Sequence, residues 1–386
     1  MKTNRIDSLD SLRGLAALIV VFHHCLVAFP MFWSVYQRPA DTALMRILGN
    51  SPIHVLWDGP EFVLVFFTLS GFVLSLPFWG GKSLTYGQFA VRRVFRIYPT
   101  YLVAVTIGAI LMSALSSGPL TGLSDWSAQF WNRPLNWTIV FDHVFLMASA
   151  GNNFIDTPVW SLVVEMHASL IFPLLILAIR RSAIASVLVA LALALVGDWA
   201  ARIDPRDFPF LTSFATTLSY LWLFVVGALM AQHRAWLTQA VRRLPILLQT
   251  ATLCLALIAL NAIWQFGAGE IWRFVEQTGA VVLVGAAAFV PWVGRALDTT
   301  VFRWLGKISY SLYLIHFIVL FSVLYAFRAE VTLLRVVIAV PILSILSAAL
   351  LYRFVEVPSI AWSHRFSTPR SAQTARTAVA AETLPG

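Results

Sequence analysis

The chain has 386 residues, of which 59% are hydrophobic and only 12% charged, with a formal net charge of +9. A soluble domain carries roughly 25% charged residues, so the composition excludes an ordinary soluble enzyme and indicates a polytopic membrane protein. In such a chain the basic excess marks cytoplasmic loops and lipid-facing ends, not a nucleic-acid partner.

Taken in chain order, ten apolar runs are long enough to span, at about 14–33, 61–79, 97–116, 157–179, 182–201, 209–231, 245–266, 275–293, 308–327 and 331–353. Each is near the roughly 20 residues that a helix needs to cross the hydrocarbon layer. The first run, behind Lys2 and Arg5, resembles a signal peptide, but it is too long and leaves through aromatic residues (Phe29 to Trp33), so it reads as a retained helix. With the N-terminus inside, every cytoplasmic segment is basic, and most of the 27 Lys and Arg residues fall there, as the positive-inside rule asks. The stretch 134–150 is short and holds Asp142 and His143. Letting it cross would invert every later basic loop, so it is expected to lie at the outer interface or to dip back into the protein.

The expected fold is therefore all-α, a bundle of about ten transmembrane helices with both termini cytoplasmic. Residues 1–362 form the membrane domain and 363–386, small and polar, a disordered cytoplasmic tail. The segment 117–156, rich in Trp, Asn and Pro, lies outside and can frame an entrance. Cys25 and Cys254 both fall in apolar runs, which argues against a disulfide framework.

Several ionisable groups fall inside these runs, where charge is expensive and normally faces a protein interior or cavity. In "LDSLRGLAALIVVFHH", Arg13 and His24 are separated by about 20° around a helix and roughly 16 Å along it. Arg13 reads either as a positive-inside anchor or as an anion ligand. His24 lies near the midplane, and His23 points about 100° away from it. In "FAVRRVFRIYP" the basic cluster Arg92, Arg93 and Arg96 precedes the third apolar run. Arg93 and Arg96, at i,i+3, can converge on one anion, and arginine forks suit phosphate. A plain positive-inside cluster is the alternative.

The fourth run, "TPVWSLVVEMHASLIFP", carries Ser161, Glu165 and Ser169 on one face. Glu165 lies roughly 10 Å from the outer surface, either as a functional carboxylate or paired with an arginine such as Arg13. His167 faces away. In "LGKISYSLYLIHF", Ser309, Tyr313 and His316 share a face, so His24, His316 and Glu165 reach similar depth from three helices. Thr68, Gly71 and Ser75 form a small-residue face suited to close packing. Glu356, just before Pro358, ends the tenth helix and reads as a structural partner for a cytoplasmic arginine. There is no P-loop, Rossmann glycine pattern, zinc-ligand set or serine nucleophile elbow, so no bound metal or cofactor is expected.

The motifs "LDSLRGLAALIVVFHH", "FTLSGFVLS", "RRVFR", "PVWSLVVE", "ISYSLYLIH" and "FVEVP" occur in the order seen in the acyltransferase-3 family of integral-membrane acyltransferases, which the chain resembles over about residues 5 to 360. The resemblance implies a stand-alone ten-helix domain of the cell inner membrane. It takes an acyl group, commonly acetyl, from cytoplasmic acyl-CoA as co-substrate. The acceptor is a hydroxyl of a cell-surface or exported glycan. It also implies roles: Arg13, Arg93 and Arg96 in donor binding, and His24, Glu165 and His316 in catalysis. Some relatives carry an additional exported esterase-like domain. This chain ends in a short tail, which leaves direct transfer and hand-over to a separate periplasmic transferase both open. A transporter or flippase of a glycan or lipid-linked intermediate is the competing class, but paired broken helices in related halves are not visible in the sequence.

Overall fold

The computed structural model describes residues 7–36, 42–80, 85–146, 154–201, 209–262, 266, 269–328 and 330–367. Regular structure among them is helical throughout. Eight helices are long and apolar enough to cross a bilayer, or ten if each of two bent pairs counts as one span. They are α1 (Asp7–Val27), α2 (Gly59–Trp79), α3 (Tyr86–Leu115), α4 (Val159–Arg181), α5 (Ala183–Ala200) and α6 (Pro209–Gln232). After these come the bent pair α7 (Arg234–Arg243) and α8 (Ile246–Leu260), then α9 (Glu270–Phe289) and α10 (Pro291–Leu297), then α11 (Thr300–Ala326) and α12 (Leu333–Leu351). The pairs bend by 116° and 86°. The all-α bundle of about ten spans is thus the observed architecture.

Three boundaries differ from the sequence expectation. α1 starts at Asp7 and stops at Val27, because Pro30 cannot continue it and opens a separate short helix, Pro30–Trp33. α3 starts eleven residues before the apolar run, where Thr85 and Gln88 form a capping box. Arg92, Arg93 and Arg96 therefore sit on the helix and not ahead of it. Finally, the chain does not stop at Pro358. A π turn at Tyr352–Glu356 leads into a further helix, Val357–Ser367, since proline costs little in a first helical turn. The tail expected at 363–386 thus begins as helix, and residues 368–386 lie outside the described residues.

α4 begins on the side of the bundle where α3 ends. At the start of α3, Tyr86 donates to the Leu170 carbonyl of α4 (3.2 Å). At the end of α4, Arg180 donates to the Phe78 carbonyl of α2 (2.9 Å). α3 and α4 therefore run in opposite directions, and the short helix Trp137–Val144 between them does not cross. It dips inward instead: Tyr101, midway along α3, donates to the His143 carbonyl at 2.7 Å, and Tyr98 donates to that of Val144. The remainder of the expected 134–150 stretch, 147–150, falls outside the described residues.

Two glycine contacts set the packing that matters for the site. At Gly306 of α11 an added Cβ would overlap the Asp10 carbonyl of α1, and at Gly14 it would collide with the backbone of Gly306. α1 and α11 consequently cross in near contact, as small residues permit. Gly71 of α2 meets the Phe224 backbone of α6, and Gly227 meets the Thr68 carbonyl in return, so the expected small-residue face is a packing face. Leu188, Val189 and Leu195 on α5, and Leu247 and Leu255 on α8, are exposed. Such a girdle of large apolar side chains suits lipid contact.

Candidate functional site

The crossing of α1 and α11 brings two pairs of residues together at two levels. At the first, the Arg13 Nε donates to Ser309 Oγ (2.8 Å) and its Nη2 to the Gly306 carbonyl (2.9 Å). Asp10 lies one turn back, 3.6 Å from Nη2. At the second level, His24 Nδ1 lies 2.8 Å from His316 Nε2, with the rings stacked at 5.0 Å between centroids. The expected single face of α1 carrying Arg13 and His24 is real, and the matching face of α11 carries Ser309 and His316.

Arg13 opens onto a cavity of about 330 Å³ whose wall also includes Arg93, Arg96, Glu165, Tyr310 and Tyr313. Three guanidinium groups from two helices thus face one space. Arg96 is 3.4 Å from Glu356, a fully buried carboxylate that also accepts from Ser311 (2.7 Å). The π turn directs that carboxylate inward, and the arginine partner expected for Glu356 is Arg96. Arg93, by contrast, has no ion pair among the described residues and only lies over the Phe89 ring at 5.9 Å. Glu165 faces the same cavity and accepts a hydrogen bond from Ser70 at 3.2 Å.

Glu165 does not join the histidines. Its neighbours are Ser70 and the field of Arg93 and Arg13, so the expected three-helix convergence splits into two layers. Rotation of α4 turns Glu165 toward the arginines, and Ser161, one turn earlier, toward α11. Ser161 Oγ and the Tyr313 hydroxyl are 2.7 Å apart. This pair closes the deep end of the cavity, and His316 lies one turn beyond it, its ring 5.9 Å from that of Tyr313. Neither histidine is part of the cavity wall.

The hydrogen bonds assign the histidine tautomers. His316 Nδ1 lies 3.1 Å from the Leu312 carbonyl, which can only accept, so that nitrogen carries the proton. In the neutral ring Nε2 then has a lone pair, and His24 Nδ1 must be the donor to it. The chain Leu312–His316–His24 leaves the His24 Nε2 lone pair without a partner among the described residues. His24 is clamped between His316 and Trp126, whose indole stacks on it at 5.4 Å and 10°. Trp126 is held by its segment: Ser124 donates from Oγ to the Val27 carbonyl (2.6 Å) and from its backbone to Ala28 (2.9 Å).

His23 has a separate role. Its Nδ1 is 3.0 Å from the Trp57 carbonyl and 3.2 Å from the Tyr36 hydroxyl, and Gly59 leaves the space its ring occupies. It ties α1 to the connection before α2. His167, as expected, turns away and bonds Thr217 (3.0 Å). The sequence reading did not single out Ser70, Tyr310 or Trp126 as site residues. No local spacing marks Ser70 or Trp126, because each meets the site from another element, whereas Tyr310 lies on α11 three residues before Tyr313 and the same helical period could have found it.

An acyltransferase domain model, that of the acyltransferase-3 family, matches residues 6–353. Among similar proteins, the acyltransferase MdmB of Streptomyces mycarofaciens is 27% identical over 82% of this chain and 79% of its own length. Nodulation protein 10 of Rhizobium leguminosarum bv. viciae is 26% identical over 58% of this chain and 59% of its own. The putative peptidoglycan O-acetyltransferase YrhL of Bacillus subtilis (strain 168) is 23% identical over 92% of this chain but only 54% of its own length. No solved structure matches. With a helical membrane bundle and a match over nearly its whole length, the chain belongs to the acyltransferase-3 family of membrane acyltransferases.

Proposed function

We propose that the protein is an inner-membrane O-acyltransferase that moves an acyl group, acetyl in the first instance, from cytoplasmic acyl-CoA to a hydroxyl of a cell-surface or exported glycan. The observation that carries this reading is the layered site: an arginine-lined cavity ends at Tyr313, one helical turn short of His316, which holds His24 with an Nε2 lone pair that no group among the described residues takes. Arg180 and Arg181 end α4 at the same end of the bundle as the arginine cavity, which supports placing that end in the cytoplasm. A name among the similar proteins, a putative peptidoglycan O-acetyltransferase, supports a glycan hydroxyl as acceptor.

In this reading Arg93, Arg13 and Arg96 hold the phosphates of the donor, with Arg93, which has no ion pair among the described residues, as the principal ligand. Glu165 serves on the donor side, where its charge orients Arg93 and Arg13 while the cavity is empty. The thioester extends toward Tyr313. The lone pair of His24 Nε2 takes the acceptor hydroxyl proton as that oxygen attacks the thioester carbonyl. The tetrahedral adduct collapses with cleavage of the C–S bond, and the departing thiolate takes the proton back from the His24 imidazolium. The products are the O-acyl ester and CoA thiol, and the enzyme returns to its starting state. His316 acts by fixing the His24 tautomer.

The test is acyl-CoA-dependent release of CoA thiol by the purified protein in detergent or liposomes, with and without glycan acceptors. Release that depends on acceptor and on His24 is expected. Binding or movement of a glycan without any CoA release, across acetyl and longer donors, would replace this reading with transport.

A further inference from the structure

Acyl transfer through a tetrahedral adduct needs a donor aimed at the oxygen on which negative charge develops. Five hydroxyl groups line the cavity, those of Ser70, Ser161, Ser309, Tyr310 and Tyr313. Four have already committed their protons to strong acceptors. Ser70 donates to the Glu165 carboxylate (3.2 Å), Ser309 to the Gly306 carbonyl (3.0 Å), Tyr310 to the Ile97 carbonyl (2.7 Å) and Ser161 to the Pro158 carbonyl (2.9 Å).

Tyr313 differs. Both hydroxyls face the Pro158 carbonyl, Ser161 at 2.9 Å and Tyr313 at only 3.4 Å, so the shorter bond takes the Ser161 proton and the 2.7 Å contact between the two hydroxyls has Tyr313 as donor and Ser161 Oγ as acceptor. Its proton therefore rests on another hydroxyl, the weakest acceptor of the five. Turning it toward a ligand leaves Ser161 still bonded to Pro158 and strands no buried polar group. The phenol is held in place by the Phe66 ring at 5.4 Å, and it stands between the arginine cavity and His316.

We infer that Tyr313 is a catalytic residue: its hydroxyl turns from Ser161 to the thioester carbonyl oxygen and donates to the oxyanion of the tetrahedral adduct. No proton is transferred in this step. The bond strengthens as the carbonyl π electrons move onto oxygen, and it relaxes when the C–S bond breaks and the thiolate leaves. Ser161 is the resting partner that keeps the phenol aimed. The inference rests on the acyl-CoA reading given above.

The test compares Tyr313→Phe with Ser161→Ala. Both remove the Tyr313–Ser161 hydrogen bond, so a purely structural role would lower activity equally in the two. For an oxyanion donor, Tyr313→Phe should lower kcat about 10²-fold with donor KM within about threefold, whereas Ser161→Ala should cost less than about tenfold. Equal losses, or a Tyr313→Phe variant retaining more than half of wild-type kcat, would overturn the assignment. A second measurement uses two unreactive CoA thioethers, S-acetonyl-CoA, which carries a carbonyl, and S-propyl-CoA, which does not. Wild type should prefer the ketone and Tyr313→Phe should bind both alike. A preference that survives in Tyr313→Phe refutes the inference alone. If neither compound binds wild type, the donor reading fails and the inference with it.

Discussion

His24 Nδ1 and His316 Nε2 lie 2.8 Å apart, on helices that meet through Gly14 and Gly306. The Leu312 carbonyl fixes the proton on the far nitrogen of His316, so the bond has one direction and His24 keeps the lone pair on its Nε2. The two rings therefore have unequal roles. His24→Ala should abolish acyl transfer, with a loss of about 10²–10⁴-fold in kcat. His316→Gln, whose amide oxygen can accept from Nδ1 of His24, should retain measurably more activity than His316→Ala, with donor KM unchanged in both. Steady-state kinetics in detergent decides the matter, and equal loss in the two His316 variants would count against a positioning role.

Arg93 and Arg96 are three residues apart but should behave differently. Arg93 has no ion pair among the described residues, so Arg93→Ala should raise donor KM by about tenfold or more without loss of thermal stability. Lysine at the same position should restore only part of the affinity, because an ammonium cannot fork to a phosphate.

Arg96 also neutralises buried Glu356. Arg96→Ala should cost about 2 kcal/mol, less than the 3–5 typical of a fully buried pair, because Arg96 is 31% exposed. Adding Glu356→Gln should recover the stability but not the donor affinity. Thermal unfolding and donor titration of the single and double variants separate the two effects.

The α1–α11 contact should be intolerant of a methyl group. Gly306→Ala places Cβ against the Asp10 carbonyl, and overpacking of this kind costs about 1–3 kcal/mol. Activity should fall further than stability, because the same displacement separates Arg13 from Ser309 and His24 from His316. Gly71→Ala, at the α2–α6 contact, should lower the melting temperature with a smaller effect on kcat.

The connection before α2 should give the detergent-solubilised protein an acid sensitivity. His54 is fully buried beside Trp57, and Asp58 at 3.7 Å is too far to hydrogen-bond it. Burial lowers its pKa from 6.5 to about 3, with the field of His23 acting the same way and a bond from Asn261 opposing. The unfolded chain binds the proton more tightly than the folded one, so the contribution to stability is complete above pH 6.5 and is lost as pH falls toward 3. The melting temperature should decline across that window, and His54→Gln should flatten the decline.

Much of this could be read from residue order. The arginine and histidine of α1 are two levels of one face because a helix repeats every 3.6 residues, and that holds in any fold that keeps the helix. The same periodicity placed Ser309, Tyr313 and His316 together and turned His167 away from Glu165. Arg96 with Glu356 was legible only as a class of partner, since a buried carboxylate requires a cation without specifying which one.

What the sequence alone determined was therefore the all-α membrane bundle, the inward-facing polar groups and their approximate depth, through hydropathy, helical period and the cost of charge in lipid. Tertiary structure decided which of those groups touch. Glu165 met the arginine layer and not the histidines, because helix rotation about its own axis is set by packing against neighbours and leaves no trace in spacing. It placed Trp126 over His24 from a connection about a hundred residues along the chain. It put Tyr313 against Ser161 between the two layers. It also made one of two equivalent-looking histidines the donor and the other the acceptor of their shared hydrogen bond, through a single backbone carbonyl whose position only the packed helix supplies.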